Sequence, residues 1–129
     1  MILDSSAIVA IILGEPDALA LEQALARDPY RGVAAPTVLE TGLVLASRLG
    51  RSSELHLAAF LLESGAAVLP FGERHWPVAL DGFRRFGKGR HPAALNVGDC
   101  LTYATAKVAG EPLLCVGSDF AHTDLALAM

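Results

Sequence analysis

The chain has few cysteines and no long hydrophobic run, and each shortage disfavours a class of protein. Cys100 and Cys115 are the only cysteines among 129 residues, and they form no CxxC pair. A disulfide scaffold and a cysteine-ligated zinc site are therefore disfavoured, and we expect buried free thiols in a reducing cytoplasm. The uncharged run 5–14 is far shorter than the roughly 20 residues that cross a bilayer. Asp4 lies where a signal peptide would carry a cation, which argues against export.

The sequence also lacks the signatures of several enzyme classes. It contains no GxGxxG, P-loop, GxSxG or HExxH motif, so dinucleotide-binding, nucleotide-triphosphatase, serine-hydrolase and zincin functions have no support. Hydrophobic residues make up 53% of the chain and charged residues 19%, which excludes a disordered protein. This length and composition predict a single globular domain over residues 1–129.

The charges are unevenly distributed along the chain. Ten basic and fourteen acidic residues give a net charge of −4, which argues against a nonspecific nucleic-acid-binding protein. Half of the basic residues nevertheless fall between positions 74 and 90: Arg74, Arg84, Arg85, Lys88 and Arg90. This basic segment is either a solvated helix face or a contact for an RNA backbone, which would bind phosphates without reading the base sequence.

Strands and helices are predicted to alternate along the chain. Short apolar runs predict strands at 1–3, 32–35, 67–71 and 113–116, and helical spacing with capping residues predicts helices at 5–13, 17–27, 36–49, 52–64, 73–86 and 96–109. In the third helix we expect Leu39, Leu43 and Ala46 to form the apolar stripe. This alternation predicts an α/β fold with a parallel sheet covered on both faces.

Four acidic residues are candidates for a site because of their context. Asp4 follows the first strand, Glu40 lies in the first turn of the helix after the second strand, and Asp119 follows the last strand. These three converge, because the carboxyl ends of parallel strands and the starts of the following helices share one edge of the sheet. Asp99 begins the helix that precedes the last strand, so it reaches that edge only if its helix enters from the same side.

Carboxylates that crowd together at neutral pH require a cation, because like charges raise one another's pKa. A ligand set made only of oxygen atoms selects Mg²⁺ or Mn²⁺ over zinc. Mg²⁺ sites commonly act on phosphates, so phosphodiester cleavage is the chemistry that this cluster predicts. Without the four acids, the ten remaining acidic residues would balance the ten basic ones.

Structural interpretations of the same acids remain open. Thr37 and Glu40 match a capping box, Asp99 would favour the dipole at its helix start, and Asp119 is a common turn residue. Asp4 has no evident structural role in the sequence.

Two other functions compete with a nuclease. A phosphoacceptor receiver domain would need paired acids after the first strand, where this chain has Asp4 followed by Ser5, and is therefore disfavoured. A non-catalytic binding module that uses its acids only as helix caps remains the alternative, and it predicts no dependence on metal.

Four segments together resemble the PIN-domain family, and most closely the VapC toxins of bacterial toxin–antitoxin pairs. Any one of the segments is weak as a signature, but their order and spacing are specific. The segments read MILDSSA from Met1, APTVLE from Ala35, NVGDCL from Asn96 and GSDFAHTD from Gly117.

This resemblance implies a three-layer α/β/α sandwich and an endoribonuclease that depends on Mg²⁺ or Mn²⁺. The resemblance also implies that the catalytic acids of the family correspond to Asp4, Glu40, Asp99 and Asp119. Asp4 and Asp99 are the expected metal ligands, and Glu40 would hold a second ion or orient the attacking water. Asp124 is an alternative or an addition to Asp119.

The resemblance also implies partners. They are an RNA substrate, a cognate VapB-type antitoxin whose tail covers the site, and a second copy of the chain in a homodimer. The apolar helix predicted at 52–64 is a candidate for the dimer interface. No membrane association is expected.

Overall fold

A parallel four-stranded sheet forms the centre of the protein, with the strand order β3-β2-β1-β4. The computed structural model describes all residues, 1–129. The strands are β1 (Ile2–Leu3), β2 (Gly32–Ala34), β3 (Ala67–Leu69) and β4 (Leu113–Leu114). The helices are α1 (Ser5–Leu13), α2 (Ala18–Arg27), α3 (Ala35–Leu49), α4 (Ser53–Ser64), α5 (Trp76–Phe86) and α6 (Val97–Ala109). The predicted α/β fold with a central parallel sheet is confirmed.

Consecutive residues of the short strands point into two separate cores. Leu3 and Leu114 pack with α1 to α4, in a cluster that includes Leu21 of α2. Ile2 and Leu113 point to the opposite face and pack with side chains of α5 and α6. The helices therefore cover both faces of the sheet, which gives the three layers expected from the sequence.

The strand register brings the two ends of the chain together. Ile2 pairs with Gly32 on one side and with Leu113 on the other. Beyond β4 the chain returns alongside it, where the Leu113 amide donates to the Ala126 carbonyl at 2.9 Å and the Ala128 amide donates to the Leu113 carbonyl at 2.8 Å. All strands run in the same direction, so their carboxyl ends meet at one edge of the sheet.

The predicted strands are longer than the observed ones. β3 ends at Leu69 because Pro70 has no amide hydrogen to donate. β4 ends at Leu114 because the Val116 amide donates to the Ser6 hydroxyl instead of to a neighbouring strand, at 3.0 Å. α1 has the predicted bounds, and α6 starts directly after its predicted cap, Asn96, and ends at Ala109 as predicted. By contrast, α5 begins at Trp76 rather than at residue 73. No helix has the length and apolar composition needed to cross a bilayer.

The predicted apolar stripe of α3 is wrong. Leu39 and Leu43 are each 65% exposed, and Ala46 is exposed as well. The buried positions of α3 are instead Thr37, Thr41 and Leu45. The Thr41 hydroxyl donates to the Thr37 carbonyl at 2.7 Å, and burial costs little for a hydroxyl that is hydrogen-bonded in this way. We call the exposed pair Leu39 and Leu43 the leucine face.

Candidate active site

Asp4 follows β1 directly and caps the start of α1. It is only 4% exposed. Its Oδ2 accepts hydrogen bonds from the Ser6 amide at 3.1 Å and the Ser6 hydroxyl at 2.6 Å, and its Oδ1 accepts from the Thr102 hydroxyl at 2.8 Å. The expectation that Asp4 has no structural role is therefore wrong, because it starts α1 and ties β1 to α6. These bonds fix the direction of its carboxylate.

Glu40 lies in the second turn of α3 rather than the first, and it forms no capping box. The helix begins at Ala35 with Ala34 at its N-cap position. The Glu40 carboxylate instead accepts a hydrogen bond from the Ser5 hydroxyl. On its other side it lies against Gly98, where a Cβ would overlap Oε2 of Glu40 and stand 2.9 Å from its Cδ. A residue without a side chain at position 98 therefore makes room for this acid.

Asp99 lies in the first turn of α6 and forms a complete capping box with Asn96. The Asn96 Oδ1 accepts from the Asp99 amide at 2.9 Å, and the Asp99 Oδ2 accepts from the Asn96 amide at 3.0 Å. The capping role that the sequence left open for Asp99 is therefore present.

The surroundings of Asp99 also place it among the other acids. Burial raises the pKa of Asp99 to about 6, the hydrogen bond from the Asn96 backbone opposes this, and the charges of Asp4, Asp119 and Glu40 add to the increase. α6 therefore enters from the carboxyl edge of the sheet, and the structure brings all four predicted acids into one electrostatic neighbourhood.

Asp119 comes after β4 on an exposed turn and does not cap the short 3₁₀ turn that follows it. Its charge reaches Cys115, which is half-buried and unpaired. Burial, followed by the charges of Asp4, Asp119 and Asp99, raises the pKa of Cys115 to about 11. The thiol at the rim of the acid cluster is therefore neutral, and it adds no thiolate to the site.

Asp124 does not join these acids. Its carboxylate accepts hydrogen bonds from Tyr103 at 2.9 Å, from Lys107 at 3.1 Å and from Arg85 at 3.4 Å. Tyr103 and Lys107 lie about one and two helical turns beyond Asp99 on α6. The structure thus separates Asp124 from the cluster that contains Asp119.

No cation of the protein offsets the four acids. The ion pairs of the chain involve Asp28, Asp81, Glu111 and Asp124, and none reaches Asp4, Glu40, Asp99 or Asp119. No three His, Cys, Asp or Glu side chains are arranged around a common point that a metal ion could occupy, and hydrogen bonds within the protein hold three of the acids. The donor atoms are all carboxylate oxygens, which fits Mg²⁺ or Mn²⁺ better than zinc.

Sequence reasoning missed the residues that hold the acids in place. Ser5 and Ser6 follow Asp4 directly and bind Glu40 and Asp4, respectively. Thr102 lies three residues after Asp99 on α6 and binds Asp4. The only signal for these roles was a hydroxyl beside a candidate acid, and that signal does not say which acid the hydroxyl binds.

Comparisons with known proteins agree with this architecture. Residues 1–125 match the PIN domain family. The chain is 44% identical to a Ribonuclease VapC of Mycolicibacterium smegmatis, covering 98% of both chains. It is 45% identical to Ribonuclease VapC36 of Mycobacterium tuberculosis, covering 97% of this chain and 91% of that protein.

Two solved structures share the fold at low sequence identity. The crystal structure of Mycobacterium tuberculosis VapC20, described as a toxin that cleaves the sarcin-ricin loop, has a TM-score of 0.79 and 16% identity, covering 97% of this chain and 95% of that one. A toxin–antitoxin complex from Klebsiella pneumoniae gives a TM-score of 0.70 and 17% identity, covering 95% of this chain and 92% of that one. With a family match over almost its entire length, the chain belongs to the PIN-domain family.

Proposed function

We propose that this protein is a metal-dependent endoribonuclease that acts as the toxin of a toxin–antitoxin pair. The observation that carries the proposal is the cluster of four acids at the carboxyl edge of the sheet, without a cation of the protein to offset it. A buried carboxylate without a counter-charge is costly, so the cluster calls for a cation from outside the chain. The relatives named ribonucleases, at 44% and 45% identity, support RNA as the substrate.

Asp4 and Asp99 would hold a Mg²⁺ or Mn²⁺ ion, with Asp119 beside them. When bound, such an ion stabilises the charge that develops on a phosphodiester under attack. Glu40 either orients the attacking water or holds a second ion, and the Ser5 hydroxyl keeps its carboxylate directed into the site. The raised pKa of Asp99 makes its carboxyl easy to protonate in the absence of metal, so metal binding would be weaker at acidic pH.

We propose that the basic segment binds the RNA backbone, and that only its cations without a carboxylate partner take part. Arg85 forms ion pairs with Asp81 at 3.5 Å and with Asp124 at 3.4 Å. The other four cations of this segment are exposed and form no ion pair. Three of them lie close together in the chain, and we call them the basic patch: Arg84, Lys88 and Arg90. We propose that the basic patch attracts RNA through its phosphates.

The partners follow from the same assignment. An antitoxin would neutralise the enzyme by covering the acid cluster, and a second copy of the chain would form a homodimer. The leucine face is now a candidate for that interface alongside α4, in which Leu55 is 72% exposed and Leu62 is 83% exposed. We infer that the protein acts in the cytoplasm, where RNA is the available substrate.

Cleavage of total RNA by the purified full chain tests the function. We expect discrete cuts with Mg²⁺ or Mn²⁺ that disappear with EDTA and with Asp4→Asn. Asparagine is a good N-cap residue, so circular dichroism should show that Asp4→Asn remains folded. Glu54→Gln, which changes an exposed acid at the start of α4, serves as the matched control and should cut like the wild type.

Two results would contradict the proposal. Full metal-dependent cutting by an Asp4→Asn protein that has been purified free of contaminating nuclease would contradict the role assigned to Asp4. No cutting, together with no shift of the melting temperature by Mn²⁺, would favour the non-catalytic binding module, since a ligand that binds only the native state must stabilise it.

A further inference from the structure

The Asp124 carboxylate lies at the centre of a polar cluster that the proposed chemistry does not use. Oδ1 accepts from the Tyr103 hydroxyl, and Oδ2 accepts from Lys107 and Arg85. Tyr103 is only 1% exposed, so its hydroxyl is a fixed donor. Burial of Asp124 acts against ionisation, but the hydrogen bonds from Lys107 and Tyr103 hold the pKa of this carboxyl below its usual range.

This cluster holds one end of residues 116–124, which carry Asp119 and which we call the Asp119 segment. At the other end the Val116 amide donates to the Ser6 hydroxyl, which itself binds Asp4. Between the two ends, Phe120 is buried at 3% exposure and packs in the same core as Tyr103. The segment 116–124 is therefore held to the Asp4 end of the site at its start and to α6 at its end.

We propose that Asp124 is a positioning residue that holds Asp119 at a fixed place relative to Asp99. The inference rests on the proposed function, because it treats Asp119 and Asp99 as parts of a metal site. α6 supplies both the Asp99 carboxyl, in its first turn, and two of the three partners of Asp124, Tyr103 and Lys107, further along the same helix. Because the Asp124 carboxylate is hydrogen-bonded to this helix, it fixes the position of the Asp119 segment relative to α6.

Two other roles for Asp124 would give different results. If Asp124 is a direct metal ligand, replacing it would lower metal affinity whether or not Asp119 is present. If Asp124 only stabilises the fold, replacing it would lower stability and leave metal affinity unchanged. A double-mutant cycle separates these roles, because two changes that act through the same group are not additive.

The experiment measures Mn²⁺ binding to the full chain by isothermal titration calorimetry. Asp124→Asn should weaken binding by about 10-fold, the lower end of the effect of residues that orient metal ligands. The same change in an Asp119→Asn background should have no further effect on the dissociation constant. Asp81→Asn is the matched control, because it removes the other ion pair of Arg85 without touching the Asp119 segment, and its affinity should stay within about two-fold of wild type.

Hydrogen exchange gives a second readout that needs no metal. The amides of Ala121, His122 and Thr123 donate to backbone carbonyls within the Asp119 segment. They should exchange faster in Asp124→Asn than in the wild type, and Asp81→Asn should leave them unchanged.

Each contrary result has a distinct meaning. An equal loss of Mn²⁺ affinity in both backgrounds would overturn the inference in favour of an independent ligand. Unchanged affinity in the single variant would overturn it in favour of a purely structural contact. A wild-type protein that binds no Mn²⁺ would overturn the proposed function and the metal-directed part of the inference, and the exchange rates would still decide whether Asp124 holds the segment.

Discussion

Replacing Gly98 with alanine should separate activity from stability. A Cβ at this position would overlap Oε2 of Glu40 and lie 2.9 Å from its Cδ, whereas two carbon atoms pack at about 3.5–4.0 Å. The Glu40 carboxyl must therefore retreat by at least about 1 Å, and a displacement of about that size can cost on the order of 100-fold in rate. We expect RNA cleavage by Gly98→Ala to fall by that factor.

The stability of Gly98→Ala should fall moderately, because two opposing effects only partly offset each other. Alanine in a helix is more stable than glycine by about 0.5–1 kcal/mol. Movement of Glu40 breaks its hydrogen bond with Ser5, and a bond to a charged group contributes about 1.5–3 kcal/mol. The expected net loss in the free energy of unfolding is about 1–2 kcal/mol, which urea denaturation can measure, and the protein should remain folded.

A matched control is available in α3. Gly42 is also helical, and a Cβ there would meet only Leu57 Cδ2 at an ordinary 3.5 Å. Gly42→Ala should therefore keep full activity and gain slightly in stability. A Glu40→Gln background provides a second control, in which Gly98→Ala should add little further loss of rate. A folded Gly98→Ala protein that cleaves RNA at the wild-type rate would refute the role assigned to Glu40.

Three other perturbations test separate parts of the molecule. Because the native pKa of Asp99 is raised to about 6, the metal-free native state binds more protons than the unfolded state. Relative to Asp99→Asn, stability should therefore be highest below the usual pKa of 3.8 and fall by on the order of 1–3 kcal/mol as the pH rises through 6. Replacing the basic patch with glutamine should raise the KM for RNA and reduce the slope of log affinity against log salt by about 0.7 for each phosphate that is no longer neutralised. Serine at both positions of the leucine face should convert a dimer to a monomer in sedimentation, while monomer stability changes by less than about 0.5 kcal/mol.

Each of these three predictions would be contradicted by a specific result. A stability difference between wild type and Asp99→Asn that does not vary with pH would contradict the burial of Asp99 among acids. An unchanged salt slope would exclude the basic patch from the RNA path. A dimer that persists after both serine substitutions would move the interface away from α3, with α4 as the next place to test.

Local sequence signals predicted the helix ends well. α1 and α6 end where predicted because Gly14 and Gly110 adopt left-handed backbone conformations, with φ of 65° and 66°, which favour glycine. Asn96 starts α6 through a hydrogen bond to a residue three positions away. Signals of this kind lie within a few residues of the feature they determine, so the sequence contains them in full.

Features that depend on packing were harder to predict. The rotation of α3 was wrong because leucines were expected to face the core, whereas a threonine hydroxyl bonded to its own helix takes the buried position. The residues alone could not place Asp99 in the site, since that requires the direction in which α6 enters, and only the family resemblance supplied it. The hydrogen bond between Ser5 and Glu40 depends on how α1 and α3 pack, and neither helix contains that information alone.

The hydrogen bond between Thr102 and Asp4 joins residues 98 positions apart in the chain, and this separation has a consequence for folding. Contacts between distant residues close large loops, which slows folding relative to chains held by local contacts. β1 cannot acquire β4 as a neighbour, nor Asp4 its Thr102 partner, until nearly the entire chain has left the ribosome. The acid cluster therefore assembles late in folding, and partly synthesised chains should be inactive.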